Sequence, residues 1–580
     1  MLNRALQWFE NQNLKHQLGV VATHRRHLSC HFNPLNPQDV QQVLEHLLQT
    51  PPQCPSSAQK WFELYGEFSC AMSEAWSILE LLCHLHPHQS EILTLIRDYE
   101  FQISPLVNSH RDALMRCYLD SPLKVFMHSD DRSLLERDFR FRLANSQTNL
   151  TKRLQEESEL VREYRGFFSN SKLSFLGRVV SAGVVVGKLQ DSSEEIRKRA
   201  YFTYWEFVGK NQKFLQQNFS QLLEVRRDLA RVSGRADYVQ YAFTDLGRMD
   251  YSPDQCQEFR NSILECVVPL VTVLHQKMES SNPFKPWNAN HWPHLIPPLK
   301  QDVCDTHGFI KKVEMLCLQL GTTFHASFKE LVNMGGLDIV PRSTKSPGAF
   351  CVSLHESRIP FVFGNFSPSF KELMVILHEI GHSMHVFFSR NVSNVFLRQP
   401  GLDFCEVAGI GFELLSGLYF DLFLDSKDVK TAKSFQLHHI LSFWPFMAMI
   451  DGFQHHVYSS ESSGDTQRNE IWKSLSRQYR PYIDWSDAPE FEELGWFSRH
   501  HVFTNPFYYF EYGVAQLGAI QLWLQSTQNP QEAIRNYSNG LALGAQRSLP
   551  ELFASMKTHL RFDSSFLRGL IGEIALHLEV

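Results

Sequence analysis

Residues 374–385 read MVILHEIGHSMH: an apolar run with three histidines and a glutamate set into its middle. The apolar spacing predicts a helix, because residues three and four apart fall on one face. His378 and His382 then share a face, and two imidazoles can converge on one metal ion. Glu379 sits about 100° round from His378 and can reach a water in the ion's open coordination position. By chance alone, H-E-x-x-H arises in roughly one chain in ten of this length, so the pentad by itself is only suggestive. Its surroundings sharpen it. A helix carrying Leu373, Met374, Val375, Ile376 and Leu377 buries charge at a cost unless the charge has a partner. One satisfied core histidine is ordinary; three titratable groups in register are not.

A catalytic tetrahedral ion needs a third protein ligand. His385 fails on geometry, lying ~4.5 Å beyond His382 along the same axis. The stretch DFCEVAGIGFE, 403–413, offers Glu406, far enough downstream for a turn and an antiparallel helical return. Asp403, Glu406 and Glu413 fall on one stripe of that helix. Glu406 is placed to bind metal, and Asp403 and Glu413 to orient the ligand histidines. An exposed acidic stripe fits poorly with the neighbouring Phe404, Val407, Ile410, Phe412 and Leu414. A second constellation, HHVFTNPFYYFEY at 500–512, places Tyr508, Tyr509 and Tyr512 on a common helical surface. Phenols stay neutral at pH 7 and can donate to a developing oxyanion, although an aromatic cluster taken alone is usually core packing.

The wider chain is compatible with such a site. Its 580 residues are 43% hydrophobic and 20% charged, enough for a large core in more than one lobe. A net charge of −6, without a Lys/Arg run, gives nucleic acid no electrostatic footprint. The N-terminal residues 1–17 lack the apolar core of a leader. The apolar runs 179–186 and 440–450 are far shorter than the ~20 residues that cross a bilayer, and the second contains Pro445. Eleven cysteines, an odd number without a C-x-x-C pair, read as reduced thiols. The expectation is a soluble, cytoplasmic protein.

Helical periodicity covers 59–84, 90–101, 131–167 and 194–232, with Ser192–Ser193 before Glu194–Glu195 marking a helix start. Prolines crowd the loop 281–301. Segment 335–366 departs from helix, with β-type runs at 349–354 and 360–366. Helix resumes at 369 and runs to the end, broken near 425, 460 and 485. The predicted class is mainly α with one small β-sheet near the site.

Together the separated motifs resemble the M3 family of zinc oligopeptidases, the oligoendopeptidase F branch more than the thimet branch. The resemblance spans most of 175–580. It rests on HEIGHSMH (378–385), DFCEVAGIGFELL (403–415), KSPGAFC (345–351), PFVFGNF (360–366) and HVFTNPFYYFEYGVAQLGAIQLW (501–523). It implies one zinc ion held by His378, His382 and Glu406, with Glu379 as general base. It also implies two helical lobes enclosing a deep substrate channel. By chain order these are an N-terminal lobe, 1–190, forming one wall, and a catalytic region, 191–580. The segment with Gly348, Ala349 and Phe350, the strand 360–366 and Tyr508 would lie against an extended peptide. His501, Tyr509 and Tyr512 would polarise the scissile carbonyl. The tyrosine spacing of the thimet branch selects His500 instead of His501, whereas the H-x-F pattern selects His501.

The reading is an endopeptidase of short unstructured oligopeptides. A carboxypeptidase or dipeptidase of similar architecture is the alternative, and would need a fixed basic residue such as Arg390, Arg398, Arg480 or Arg499. A peptide-binding protein without turnover is a third reading, disfavoured by the general base beside the ligands. Cobalt or manganese could serve the same donors. A monomer is compatible with the sequence, which leaves the oligomeric state open.

Overall fold

The structure is a computed structural model describing residues 25–121, 129–144, 150–278, 284–289, 296–459 and 464–578. The N-terminal stretch read for a leader lies outside these residues, as do Pro283 and Pro293 of the loop and the break at 460. The chain is mostly helix, as its periodicity predicts. Among the described residues five short strands accompany the helices: β1 (Leu173–Phe175), β2 (Arg178–Val180), β3 (Leu337–Asp338), β4 (Phe350–Leu354) and β5 (Ile359–Phe363). Four helices matter most for the site: α1 (Pro55–Leu85), α2 (Phe370–Ser389), α3 (Leu402–Ser416) and α4 (Pro530–Ala542). Among the described residues no helix is long and apolar enough to cross a membrane. The eleven cysteines are unpaired.

Compactness divides the chain into two units, neither contiguous in sequence. The first takes 1–143, 297–429 and 518–559; the second takes 144–296, 430–517 and 560–580. This grouping differs from the chain-order division at residue 190. The described residues before 144 fall in the same unit as the H-E-x-x-H helix, because α1 packs on the small sheet. Leu81 and Leu85 of α1 share a buried cluster with Val352, Leu354, Phe361 and Phe363. Charge closes the same contact. Glu74 of α1 accepts hydrogen bonds from Ser357 N (2.7 Å) and Ser357 Oγ (2.5 Å), and Arg25 pairs with Glu356. Helix and β4–β5 turn are thereby fixed to each other.

The three-stranded sheet has the order β3-β5-β4, with β3 parallel and β4 antiparallel to β5. Of the two segments expected to meet an extended peptide, β5 is therefore the central strand. Val362 N and Gly364 N donate to Gly336 O and Asp338 O on one side, and β4 occupies the other. That corrects the expectation for 360–366, whose main chain is already committed. Of those two segments, β4 is the one at an edge of the sheet. A second sheet, the hairpin β1–β2, was not anticipated. Its strands are three residues long and joined by Leu176 and Gly177, both at positive φ, which is too short for alternation to register.

The second unit carries buried arginines that terminate otherwise unpaired polar groups. Arg226, with a fully buried side chain, donates to Glu157 Oε1 (2.6 Å), Tyr458 Oη (2.7 Å) and Phe503 O (2.5 Å). Arg248 donates to Phe507 O (2.6 Å) and Glu511 Oε1 (3.4 Å). Removing one member of such a set strands the others in low dielectric. Arg226→Met is expected to cost about 3–5 kcal/mol in denaturant unfolding. A loss below about 1 kcal/mol, as for a surface pair, would contradict this account of the packing.

Candidate metal centre

Helix α2 begins at Ser369, whose side chain accepts from Glu372 N. It is apolar on most sides: Phe370, Leu373, Ile376, Leu377, Ile380 and Met384 are fully buried. One stripe is not. Val375 is 40% exposed, and the His378 and His382 side chains, on the same face, are each 20% exposed. Apolar burial on the remaining sides fixes the helix, and the imidazoles take its open stripe.

Helix α3 packs directly against α2, closer than ordinary side chains permit. A Cβ added at Gly381 would lie 2.6 Å from Ala408 O and 2.9 Å from the Gly409 Cα. A Cβ added at Gly409 would lie 2.6–2.8 Å from ring atoms of His378. Real Cβ atoms do not tolerate such distances, so both positions require glycine. This approach delivers Glu406 to the histidines. His378 Nε2 is 3.1 Å from His382 Nε2 and 3.2 Å from Glu406 Oε2, and His382 Nε2 is 3.9 Å from that oxygen. Tetrahedral ligands at 2.0–2.2 Å from one ion stand ~3.3–3.6 Å apart. The three donors form nearly that triangle. Glu406 Oε2 is buried and faces the two imidazole nitrogens, a cluster of donors that a cation would satisfy together.

The neighbours set the proton affinities. Burial opposes charge on His378, but Glu406 and Glu413 outweigh it and push the imidazole up to about 10. Burial takes His382 down to about 4. Burial pushes Glu379 up to about 7, against the His378 charge, with Glu406 adding to the rise. Glu406 itself is held below its ordinary value: burial opposes this, and the His378 hydrogen bond and both imidazoles prevail.

Among the residues singled out from sequence, Glu413 Oε2 lies 3.8 Å from His378 Nδ1, suited to orient that ring. Asp403 is buried and its Oδ1 accepts the Phe404 N–H. His382 hydrogen-bonds the Cys405 carbonyl. Residue spacing pointed to the carboxylates, but a backbone carbonyl carries no signal in sequence. The same holds for the Cys351 N–H, which hydrogen-bonds Glu379 from edge strand β4. Gly348 adopts φ +101° and its carbonyl accepts from Asn365 Nδ2 (3.2 Å). The Phe350 ring stacks on Phe363 at 4.8 Å. Lys345, with its side chain fully buried, ties this loop to β5 by donating to Gly364 O (2.5 Å) and Asp338 O (3.1 Å). His385 is buried against Phe404 and stands apart from the donor triangle.

In the second unit His501 stacks on Tyr508 (5.5 Å) and meets Tyr509 edge-on (4.8 Å). Tyr512 lies 5.3 Å from Tyr508 and 6.3 Å from Tyr509. His500 packs instead against Tyr164 and Phe168. Of the two histidines, His501 is thus the one grouped with the tyrosines. Burial and the neighbouring His500 and Arg165 hold it below its ordinary value.

Comparison with known proteins agrees with these observations. The pattern of peptidase family M3 matches residues 188–571. An oligoendopeptidase F homolog of Borreliella burgdorferi is 22% identical over 381 residues, covering 62% of this chain and 61% of that protein. Oligopeptidase PepF of Bacillus subtilis is 20% identical over 470 residues, covering 77% and 67%. The matched region thus spans about three fifths to two thirds of each relative. The solved structure of PZ peptidase A with an inhibitor superimposes with a TM-score of 0.86 at 21% identity, over 96% of this chain and 99% of that one. The fold is therefore shared across the length of the chain. With the family pattern covering well over half of its residues, the chain belongs to peptidase family M3.

Proposed function

We propose that this protein is a zinc-dependent endopeptidase that hydrolyses internal bonds of short, unstructured oligopeptides. The observation that carries the reading is the donor triangle of His378, His382 and Glu406. Two imidazoles and one carboxylate suit a single zinc ion with an open position. Such an ion supplies Lewis acidity, polarising a carbonyl and acidifying water.

The chain's own groups do the rest. Glu379 takes the proton of the attacking water and returns it to the leaving amine, and its burial favours holding that proton between the two steps. The Cys351 N–H keeps its carboxylate in place. Edge strand β4, with Gly348, Ala349 and Phe350 leading into it, offers main-chain groups to an extended peptide. Pairing of that kind reads backbone rather than side chains and suits broad specificity. The resemblance gives His501, Tyr509 and Tyr512 the role of donors to the carbonyl oxygen and Tyr508 a contact with substrate, roles that a neutral phenol suits. Glu413 and Asp403 steady the ligand helix. The relatives named as oligopeptidases support peptide substrates for this chain.

An exopeptidase needs a basic side chain kept for a free carboxylate. Arg390 is in a bidentate pair with Glu330, at 2.6 and 3.0 Å, and Arg398 donates to Val392 O and His355 O. Both are already engaged, whereas Arg480 and Arg499 lie over the Phe446 ring and the buried Arg499 Nε has no hydrogen-bond partner among the described residues, so internal cleavage rests on the relatives named oligoendopeptidases. Mass spectrometry of the products of an internally quenched peptide is expected to show cuts away from both ends; stepwise loss from one end would overturn this.

Glu379→Gln is expected to lower kcat by about 10²–10⁴-fold while metal content stays at the wild-type level. Near-normal turnover would remove Glu379 from the role of base. Chelation is expected to abolish hydrolysis, and added zinc to restore it; hydrolysis that survives chelation would contradict metal dependence. Gly409→Ala places a Cβ in the His378 ring, so its zinc Kd should rise at least about 10-fold. An unchanged Kd would show that the close approach of the two helices is dispensable.

A further inference from the structure

We propose that Tyr537, through its hydroxyl, is a positioning residue for helix α3 and so for the two carboxylates that grip His378. The inference rests on reading His378, His382 and Glu406 as metal ligands. Tyr537 lies on α4, is fully buried, and donates its hydroxyl hydrogen to Ala408 O. The Phe412 backbone N–H makes a hydrogen bond to the same phenolic oxygen. Ala408 O and Phe412 N are the partners of one rung of the α-helical ladder. A hydroxyl that contacts both braces that rung from the side, and the helix runs unbroken through it.

The place is not arbitrary. Glu406 and Glu413 lie on either side of the braced rung, and they meet opposite nitrogens of one imidazole. Glu406 Oε2 is 3.2 Å from His378 Nε2 and Glu413 Oε2 is 3.8 Å from His378 Nδ1. The spacing between the carboxylates therefore depends on the local pitch of α3. Two glycines, Gly409 and Gly411, leave that stretch weak as a helix, each costing roughly 1 kcal/mol relative to alanine. Gly411 admits the phenol: a Cβ there would lie 2.9 Å from the Tyr537 ring. The ring lies parallel to Phe324 at 6.2 Å, and the hydroxyl's direction is fixed by its two backbone partners. The same Ala408 carbonyl abuts Gly381 of α2. One oxygen atom thus ties α4 to the point where α2 and α3 touch.

Tyr537→Phe removes that atom and keeps the ring. Zinc Kd of the full chain, measured by competition with a chromophoric chelator, is expected to rise about 10-fold. Phe324→Leu is the control: it disturbs the ring's neighbour without touching the hydroxyl, and its Kd should stay within about twofold of wild type. Thermal unfolding of the metal-free variants separates position from stability. A lowered Tm for Tyr537→Phe with a wild-type Kd would mean plain packing and would overturn the proposal. So would Phe324→Leu weakening zinc as much as Tyr537→Phe. A wild-type chain that takes up no divalent cation would sink the ligand assignment itself, and this inference with it.

Discussion

The contact on which the site depends is the approach of α2 to α3 at Gly381 and Gly409. No side chain separates the two backbones there, so Glu406 reaches His378 and His382, and the His378 ring lies flat against Gly409. Moving the helices apart by even one methyl group would widen a donor triangle whose edges are only 3.1–3.9 Å. Close packing elsewhere in the unit serves this contact. The buried faces of α2 rest on β4 and β5, and α4 packs against both α2 and α3.

This arrangement also explains why titratable groups sit within an apolar helix. Desolvating a carboxylate beside two imidazoles costs several kcal/mol unless charge is matched. The surroundings offer matching from Glu413, the Cys405 carbonyl and the Cys351 N–H, while Glu406 Oε2 faces the two imidazole nitrogens at 3.2 and 3.9 Å. Every other polar partner steadies a ring or the proposed base. At the centre of the triangle one divalent cation satisfies three donors at once.

Much of this was legible in the sequence, for identifiable reasons. The 3.6-residue period puts His378 and His382 on one face, and the length of chain before Glu406 allows an antiparallel return. Period and motif are side-chain properties, and the donor set follows from them. What stayed hidden was carried by backbone. Neither the Cys405 carbonyl on His382 nor the Cys351 amide on Glu379 leaves a trace in residue type. Strand order was equally silent: the runs 349–354 and 360–366 look alike, yet only the first lies at an edge. The grouping of residues before 144 with the site arises from α1 packing on β4, a long-range contact that local pattern does not encode. Gly381 and Gly409 were visible as letters, but their meaning depends on which helices face each other.

The most direct measurement is an anomalous-difference map at the zinc edge from crystals of the zinc-replete protein. The account predicts one peak within about 2.0–2.2 Å of His378 Nε2, His382 Nε2 and a Glu406 carboxylate oxygen. An ion bound elsewhere, or no peak at these three atoms, would contradict it.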